Sequence, residues 1–273
     1  MMSAKNFQDK VVLITGSSSG IGKTTAIEMS KLGAFVVLNG RNKDKLLKVE
    51  DQIRRQGGKA TSYCCDISDP INSKNLLDFT IESFGKLDVL INNAGVSMRG
   101  NFSELNPEVF KTVFDINVLG AVNISIPALP YIKKSNGSVV FVSSVAGIRG
   151  LPSNSAYSSS KMALRAIAES IRIEEANSDI HIGLVFVGIT EIEKGKKTIG
   201  PDGSLISLQD RSGFKVQSLN QVANSIINNI KTRRFITTLS TMGKLNAFLQ
   251  SFMPSLVERI LIMSSNKIKA RQV

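Results

Sequence analysis

The feature that most constrains this chain is an alternation. Short runs rich in β-branched residues stand at Val11–Thr15, Phe35–Asn39, Ala60–Cys65, Val89–Asn92, Ser138–Ser143, Ile180–Val187 and Phe235–Leu239. Helix-length stretches follow the earlier ones, at Ile21–Leu32, Lys43–Gln56, Ile71–Phe84, Pro107–Lys134 and Ser155–Ala176. Strands connected through helices pair in parallel, and a parallel sheet needs both faces covered, so the pattern predicts a doubly wound α/β fold. No repeat, low-complexity segment or Pro/Gly/Ser-rich linker divides the chain, and residues 1–273 are expected to form one domain. Two stretches stand apart: a polar, Gly/Lys-rich segment over 188–216, expected to be an irregular lid, and a basic helical extension over 243–273.

Between the first strand and the first helix lies Thr15-Gly16-Ser17-Ser18-Ser19-Gly20-Ile21-Gly22. A glycine turn there lets backbone N–H groups and the positive end of a helix approach a pyrophosphate. Gly16 makes the turn, Gly20 gives the phosphates room, and Gly22 lets the helix pack on the sheet. Ser18, Ser19 and Ile21 fall in the same loop. The first gap is one residue longer than in the commoner fingerprint, and a tight turn without a ligand is the alternative reading of the loop taken alone. Asp66-Ile67 after the third run and Asn92-Asn93-Ala94-Gly95 after the fourth fall at strand ends that line the crevice of an open α/β sheet. After the second run there is no acid from Ala34 to Arg41, where an acid would take a ribose 2′-hydroxyl. Arg41, beside Asn42, suits a 2′-phosphate, which predicts NADP(H) over NAD(H).

Tyr157 and Lys161 are four residues apart on a predicted helix and share a face. A free tyrosine titrates near ~10, and a neighbouring ammonium favours its phenolate. Tyr157 can then exchange a proton with a carbonyl or alcohol oxygen, and Ser144, after a buried run, can hydrogen-bond the same oxygen.

With both constellations present, the chain resembles the short-chain dehydrogenase/reductase family from about Lys10 to about Thr190. The resemblance rests on the Thr15–Gly22 loop, Asp66, Asn92–Gly95, Asn117 in Asp115-Ile116-Asn117-Val118, Ser144, and Tyr157 with Lys161. It implies a Rossmann-type sheet and a catalytic tetrad of Asn117, Ser144, Tyr157 and Lys161, with the asparagine helping to hold a water for proton relay. It also implies that Lys161 binds the nicotinamide ribose and that Asn93, Ala94 and Gly95 lie near the adenosine-side ribose. Pairing into a homodimer or homotetramer, and cofactor contacts from Gly188, Ile189 and Thr190, are further implications. The chain departs from the family there: Val187-Gly188-Ile189-Thr190 lacks the usual proline, and its threonine comes early.

Composition narrows the remainder. At 42% apolar and 21% charged residues the chain is ordinary for a globular protein. The absence of an apolar stretch near Met1 and of a long apolar window suggests a cytoplasmic protein with reduced thiols at Cys64 and Cys65. His181 is the only histidine and lies in an apolar run, where a structural role is expected; nothing points to a metal site. The net charge is +12, and the last segment from Lys231 holds eight basic residues against Glu258 alone. There Leu245, Phe248, Leu249, Phe252, Met253, Leu256, Ile260 and Leu261 recur at helical spacing, interrupted by Pro254. Such a stripe suits peripheral membrane contact or an apolar ligand, and equally packing on the sheet or a subunit. No nucleic-acid recognition motif accompanies the charge. Lys194, Lys196, Lys197, Arg211 and Lys215 raise the hypothesis of an anionic substrate. The expectation is an NADP(H)-dependent oxidoreductase acting on a carbonyl or alcohol. The alternative is a non-catalytic dinucleotide-binding regulator or scaffold with a membrane- or partner-binding tail.

Overall fold

Seven parallel strands form one sheet in the order β3-β2-β1-β4-β5-β6-β9. They are β1 (Val11–Ile14), β2 (Phe35–Gly40), β3 (Lys59–Cys64), β4 (Val89–Asn92), β5 (Ser138–Ser144), β6 (His181–Val187) and β9 (Ile236–Thr238). Each stands where a sequence run placed it, with ends shifted by at most two residues. In the computed structural model, residues 7–193, 195–208 and 216–269 are described, with side chains as far as Met263. Lys194, Arg211, Lys215 and Arg271, and the side chains of Lys267 and Lys269, fall outside them.

The helices cover both faces because the central strands are apolar on both. One face carries α1 (Gly20–Lys31), α2 (Lys43–Arg55) and α7 (Leu219–Lys231). Met29, Leu46, Ile53, Val222 and Ile226 pack there against Val12, Ile14, Val36 and Leu38. The other face carries α3 (Pro70–Phe84), α5 (Gly120–Lys134) and α6 (Ser155–Glu174). Leu76, Ile124, Ile132, Leu164 and Ala168 bury Leu13, Leu90, Phe141 and Leu184 there. Chain order reverses between β1 and β4, so the crevice opens at their carboxyl ends.

Three local outcomes differ from the sequence expectation. The run Pro107–Lys134 is not one regular helix: α4 (Pro107–Phe114) passes into one wide π turn over Asp115–Leu119 before α5 begins. By length and composition this run is also apolar enough to cross a membrane; in the fold it buries Val113, Asn117, Ile124 and Ile132. The segment 188–216 is not wholly irregular, since β7 (Lys197–Ile199) and β8 (Leu205–Ser207) pair as an antiparallel hairpin. Helix α7 was not anticipated, although Ser218 and Gln221 form a reciprocal cap at its start.

After β9 the chain ends in α8 (Thr241–Phe252) and α9 (Pro254–Lys269), broken at Pro254 as expected. Within α8 only Gly243 is buried, and Val257 is buried in α9. Arg149, in the loop after β5, ties both helices down. Its guanidinium donates to Gln250 Oε1 (2.7 Å) and to the Pro254 carbonyl (3.1 Å) and lies 3.9 Å from Glu258. His181 donates and accepts within the core: Nδ1 is 3.2 Å from Ser138 Oγ and Nε2 is 3.0 Å from the Arg234 carbonyl. Burial pushes its pKa below the ordinary 6.5, which fits the structural role. At the edge strand Cys64 is exposed, while Cys65 turns inward toward Asn39 Nδ2 at 3.2 Å.

Candidate active site

The glycine loop is fixed by its neighbours before any ligand is considered. Gly16 has φ +64, and a β-carbon on it would stand 2.7 Å from Ala94 Cα. At Gly22 a β-carbon would come within 2.4 Å of the Gly16 carbonyl, so the helix start and the loop touch backbone to backbone. Asn93 staples the loop from β4, its Nδ2 donating to the carbonyls of Thr15 (2.9 Å) and Gly16 (3.0 Å). Thr15 Oγ1 accepts in turn from the N–H groups of Asn93 and Ala94, each at 3.1 Å. Ser17 Oγ accepts from Asn39 N–H at 2.9 Å and joins the loop to β2.

The loop opens onto a single cleft of about 480 Å³. Gly16, Ser18, Ser19, Gly20, Ile21, Arg41, Asp66, Ile67, Asn93, Ala94 and Gly95 border one part of it. Ser144, Tyr157, Lys161, Gly188 and Thr190 border it as well. Four expected residues do not line it. Gly22 lies inside α1, and Asn42 caps α2 by accepting from Lys45 N–H at 2.9 Å. Ile189 gives its carbonyl to Gln217 N–H, and Asn117 is buried beneath the cleft at 1% exposure.

At the end of β2 the Arg41 guanidinium reaches Asp66 Oδ2 at 3.5 Å, and Lys45 also borders the cleft. Burial works against the charged Asp66. The Ser68 N–H and hydroxyl, and then Arg41, outweigh it and hold the carboxyl below its ordinary range.

The four residues of the expected tetrad are carried by three elements. Lys161 is 5% exposed; its Nζ donates to the Val142 carbonyl at the end of β5 (3.0 Å) and stands 5.9 Å from the centre of the Tyr157 ring. Burial, reinforced by the positive charge of Lys196, brings its pKa down to about 8. Ser144 Oγ accepts from Ala146 N–H at 3.2 Å, which leaves its own hydrogen to donate. Asn117 sits in the wide turn, where Oδ1 accepts from Val96 N–H (2.8 Å) and Nδ2 donates to the Val96 carbonyl and Ser160 Oγ (2.9 Å each). A β-carbon on Gly95 would stand 3.0 Å from Asn117 Oδ1 and 3.4 Å from Lys161 Nζ, so the loop after β4 lies directly over both. Wide turns of this kind concentrate at functional positions.

The contacts of the glycine loop itself bear on a dinucleotide. The Gly20 N–H, at the start of α1, donates to an anion, the Glu193 carboxylate, at 2.7 Å. That carboxylate stands in for one phosphate oxygen, and the residues present fit the group. Glu193 and Lys45 are among the cleft residues that sequence reasoning did not place there, whereas Lys196 and Lys197 of the expected lid do border it; for Glu193 no sequence signal distinguishes it from Glu191.

Comparison with known proteins agrees with this architecture. The family model described as short chain dehydrogenase matches residues 10–200. The chain belongs to the short-chain dehydrogenase/reductase family. It is 36% identical over 275 residues to 11-beta-hydroxysteroid dehydrogenase 1A of Arabidopsis thaliana, covering 96% of this chain and 78% of that protein. Dehydrogenase/reductase SDR family member 7B of Bos taurus is 31% identical over 268 residues, covering 95% and 82%. Among solved structures, a short-chain dehydrogenase/reductase from Burkholderia phymatum in complex with NAD superposes with a TM-score of 0.80 at 24% identity, covering 92% and 95% of the two chains. An alcohol dehydrogenase from Thermococcus sibiricus complexed with 5-hydroxy-NADP gives 0.75 at 24% identity, covering 85% and 96%. The family consists of oxidoreductases that use nicotinamide dinucleotides, and this chain is an oxidoreductase of that kind.

Proposed function

We propose that this short-chain dehydrogenase/reductase is an NADP(H)-dependent carbonyl reductase in which Tyr157 is the general acid. The observation that carries the reading is the buried Lys161, held by the Val142 carbonyl beside the Tyr157 ring, in the cleft that the glycine loop borders. A nicotinamide dinucleotide held by the Gly16–Ile21 loop and the strand ends at Arg41 and Asn93–Gly95 would supply the hydride. Tyr157 then gives its phenolic proton to the carbonyl oxygen, and in the reverse direction takes it from the alcohol. The Lys161 ammonium favours the phenolate left behind. Ser144 donates a hydrogen bond to the same oxygen and orients it. Asn117 acts from below, positioning Val96 and Ser160 rather than reaching the substrate with its side chain, and supports the water of the proton relay.

Two cations, Arg41 and Lys45, border the cleft where β2 ends, which supports a 2′-phosphate and hence NADP(H) over NAD(H). Titration of the purified protein with NADPH and with NADH, read by the emission of the reduced nicotinamide, tests this; the chain contains no tryptophan to interfere. Tighter binding of NADPH is expected, and tighter binding of NADH sinks the assignment.

The C-terminal pair favours a second property of the same enzyme. Phe248 and Phe252 are 59% and 72% exposed, and Met242, Leu245, Ile260 and Met263 are exposed beside them, in a segment rich in Lys and Arg. This supports peripheral contact of a cytoplasmic protein with an anionic bilayer, and an apolar substrate. Failure to float with anionic vesicles at low salt removes it. Leu119, Ile126 and Met162 are exposed on the central helices and support pairing into a homodimer or homotetramer.

A further inference from the structure

The start of α1 lacks the usual provision for its exposed N–H groups. Ser19, in the N-cap position, makes no side-chain cap, and the first turn contains no acid. An anion is nevertheless present, and it comes from 173 residues away: Glu193 Oε1 accepts from Gly20 N–H at 2.7 Å.

The chain that delivers Glu193 is anchored on either side. Upstream, Glu191 N–H donates to the Gln217 carbonyl (2.9 Å) and Gln217 N–H donates to the Ile189 carbonyl (2.8 Å). The Glu191 carboxylate accepts from Leu219 N–H at the start of α7 (3.1 Å). Downstream, Ile199 N–H donates to the Ser97 carbonyl (3.0 Å), and the Ile199 carbonyl accepts from Arg99 N–H (2.8 Å). Glu193 projects from between these anchors, and Gly195, two residues on, has φ +79. Glu191 and Glu193 thus do different work: one holds the strap to α7, the other holds it to the cofactor loop.

We propose that Glu193 is an internal competitor for the pyrophosphate seat. It must leave Gly20 before a dinucleotide can bind, and it thereby sets how tightly this chain holds its cofactor. The proposal rests on the dinucleotide reading of the cleft. One N–H cannot serve the carboxylate and a phosphate oxygen together, and the two anions repel. When the binding-competent arrangement is only part of the population, apparent affinity falls by that fraction. The anchors at Gln217 and Ser97 need not break, since Glu193 can swing away between them. The cofactor is thereby coupled to the strap, whose Lys196 borders the same cleft as Tyr157 and Lys161.

The test compares wild type, Glu193→Ala and Glu193→Gln by calorimetric titration with ADP and with adenosine, and by fluorescence titration with NADPH and NADH. Glu193→Ala is expected to tighten ADP and the preferred dinucleotide by about 3- to 10-fold and to leave adenosine unchanged. Glu193→Gln, which keeps an acceptor for Gly20 but removes the charge, is expected to fall between. Unchanged or weaker ADP binding in a variant with a wild-type thermal transition overturns the proposal. So does an equal gain for adenosine, which would mean that the strap merely obstructs the cleft. Wild type that binds neither dinucleotide removes the cofactor reading itself, a failure distinguished by being read without any substitution.

Discussion

The floor of the cleft and its rim are built on different principles. The floor is made of strand ends joined by buried hydrogen bonds: Thr15 with Asn93, Lys161 with Val142, and Asn117 with Val96 and Ser160. Apart from Asn117 with Ser160, each contact there pairs a backbone group with a side chain, and few of these atoms can move without uncovering a buried polar group. The rim is made of the strap near Glu193 and of α8–α9, held at a few points such as the exposed contact at Gly20 and the half-buried Arg149. A floor of this kind fixes what reaction is done. The rim is where the proposed control of cofactor affinity and the proposed membrane contact both lie.

The largest effect should come from the floor. Tyr157→Phe is expected to lower kcat by about 10²- to 10⁴-fold while dinucleotide titrations stay close to wild type. Retained turnover would break the assignment of the acid.

A stability test of the sheet beneath comes next. Asp88 is buried and accepts from Val11 N–H (2.9 Å), Lys10 (2.8 Å) and Lys86 (3.1 Å). Burial opposes its charge, but these partners hold its pKa below the ordinary value of 3.8. Its contribution is therefore complete above about 4 and is lost as pH falls through the folded value. Asp88→Asn should cost about 2 kcal/mol in urea unfolding at neutral pH, and the difference from wild type should shrink in acid.

The third prediction joins the two regions. Burial above all, and then the positive charge of Lys196 on the rim, bring the Lys161 pKa down to about 8. The proton-transfer rate should therefore decline above about pH 8 as Lys161 becomes neutral. Removing the neighbouring charge with Lys196→Gln favours the protonated form, so the alkaline limb of kcat/KM should move to higher pH. A limb that stays in place would show that rim and floor are electrically independent.

The smallest effect belongs to the rim alone. Arg149→Ala should loosen α8–α9 and speed limited proteolysis of the tail, with less than about 1 kcal/mol change in global stability. A large loss of stability would mean that the tail is part of the core.

The sheet was legible because buried parallel strands read as unbroken β-branched runs, and Val89–Asn92 coincides residue for residue. Ser144, Tyr157 and Lys161, singled out by spacing, do border one cleft, whereas Asn117 came only from the family resemblance. Helix α7 was not read although Ser218 and Gln221 carry a capping signature, because the polar segment before it masked the start. The hairpin β7–β8 is three residues a side, too short for alternation to register. The wide turn at Asp115–Leu119 leaves no mark, since no local pattern separates a single π turn from the helix on either side of it. Glu193 was invisible for a different reason: its partner lies at the far end of the chain, and no local pattern encodes it.

The two adjacent thiols offer an experimental handle. Cys65 is turned into the protein, where burial above all drives its pKa up to about 11, so it stays protonated at working pH. Cys64 is exposed on the edge strand, one residue removed. A maleimide dye should therefore mark the wild-type protein at one position, on the strand whose end runs into the cofactor cleft, with no cysteine engineered in or out. Ligand arrival and strap movement could then be followed optically in the unaltered chain.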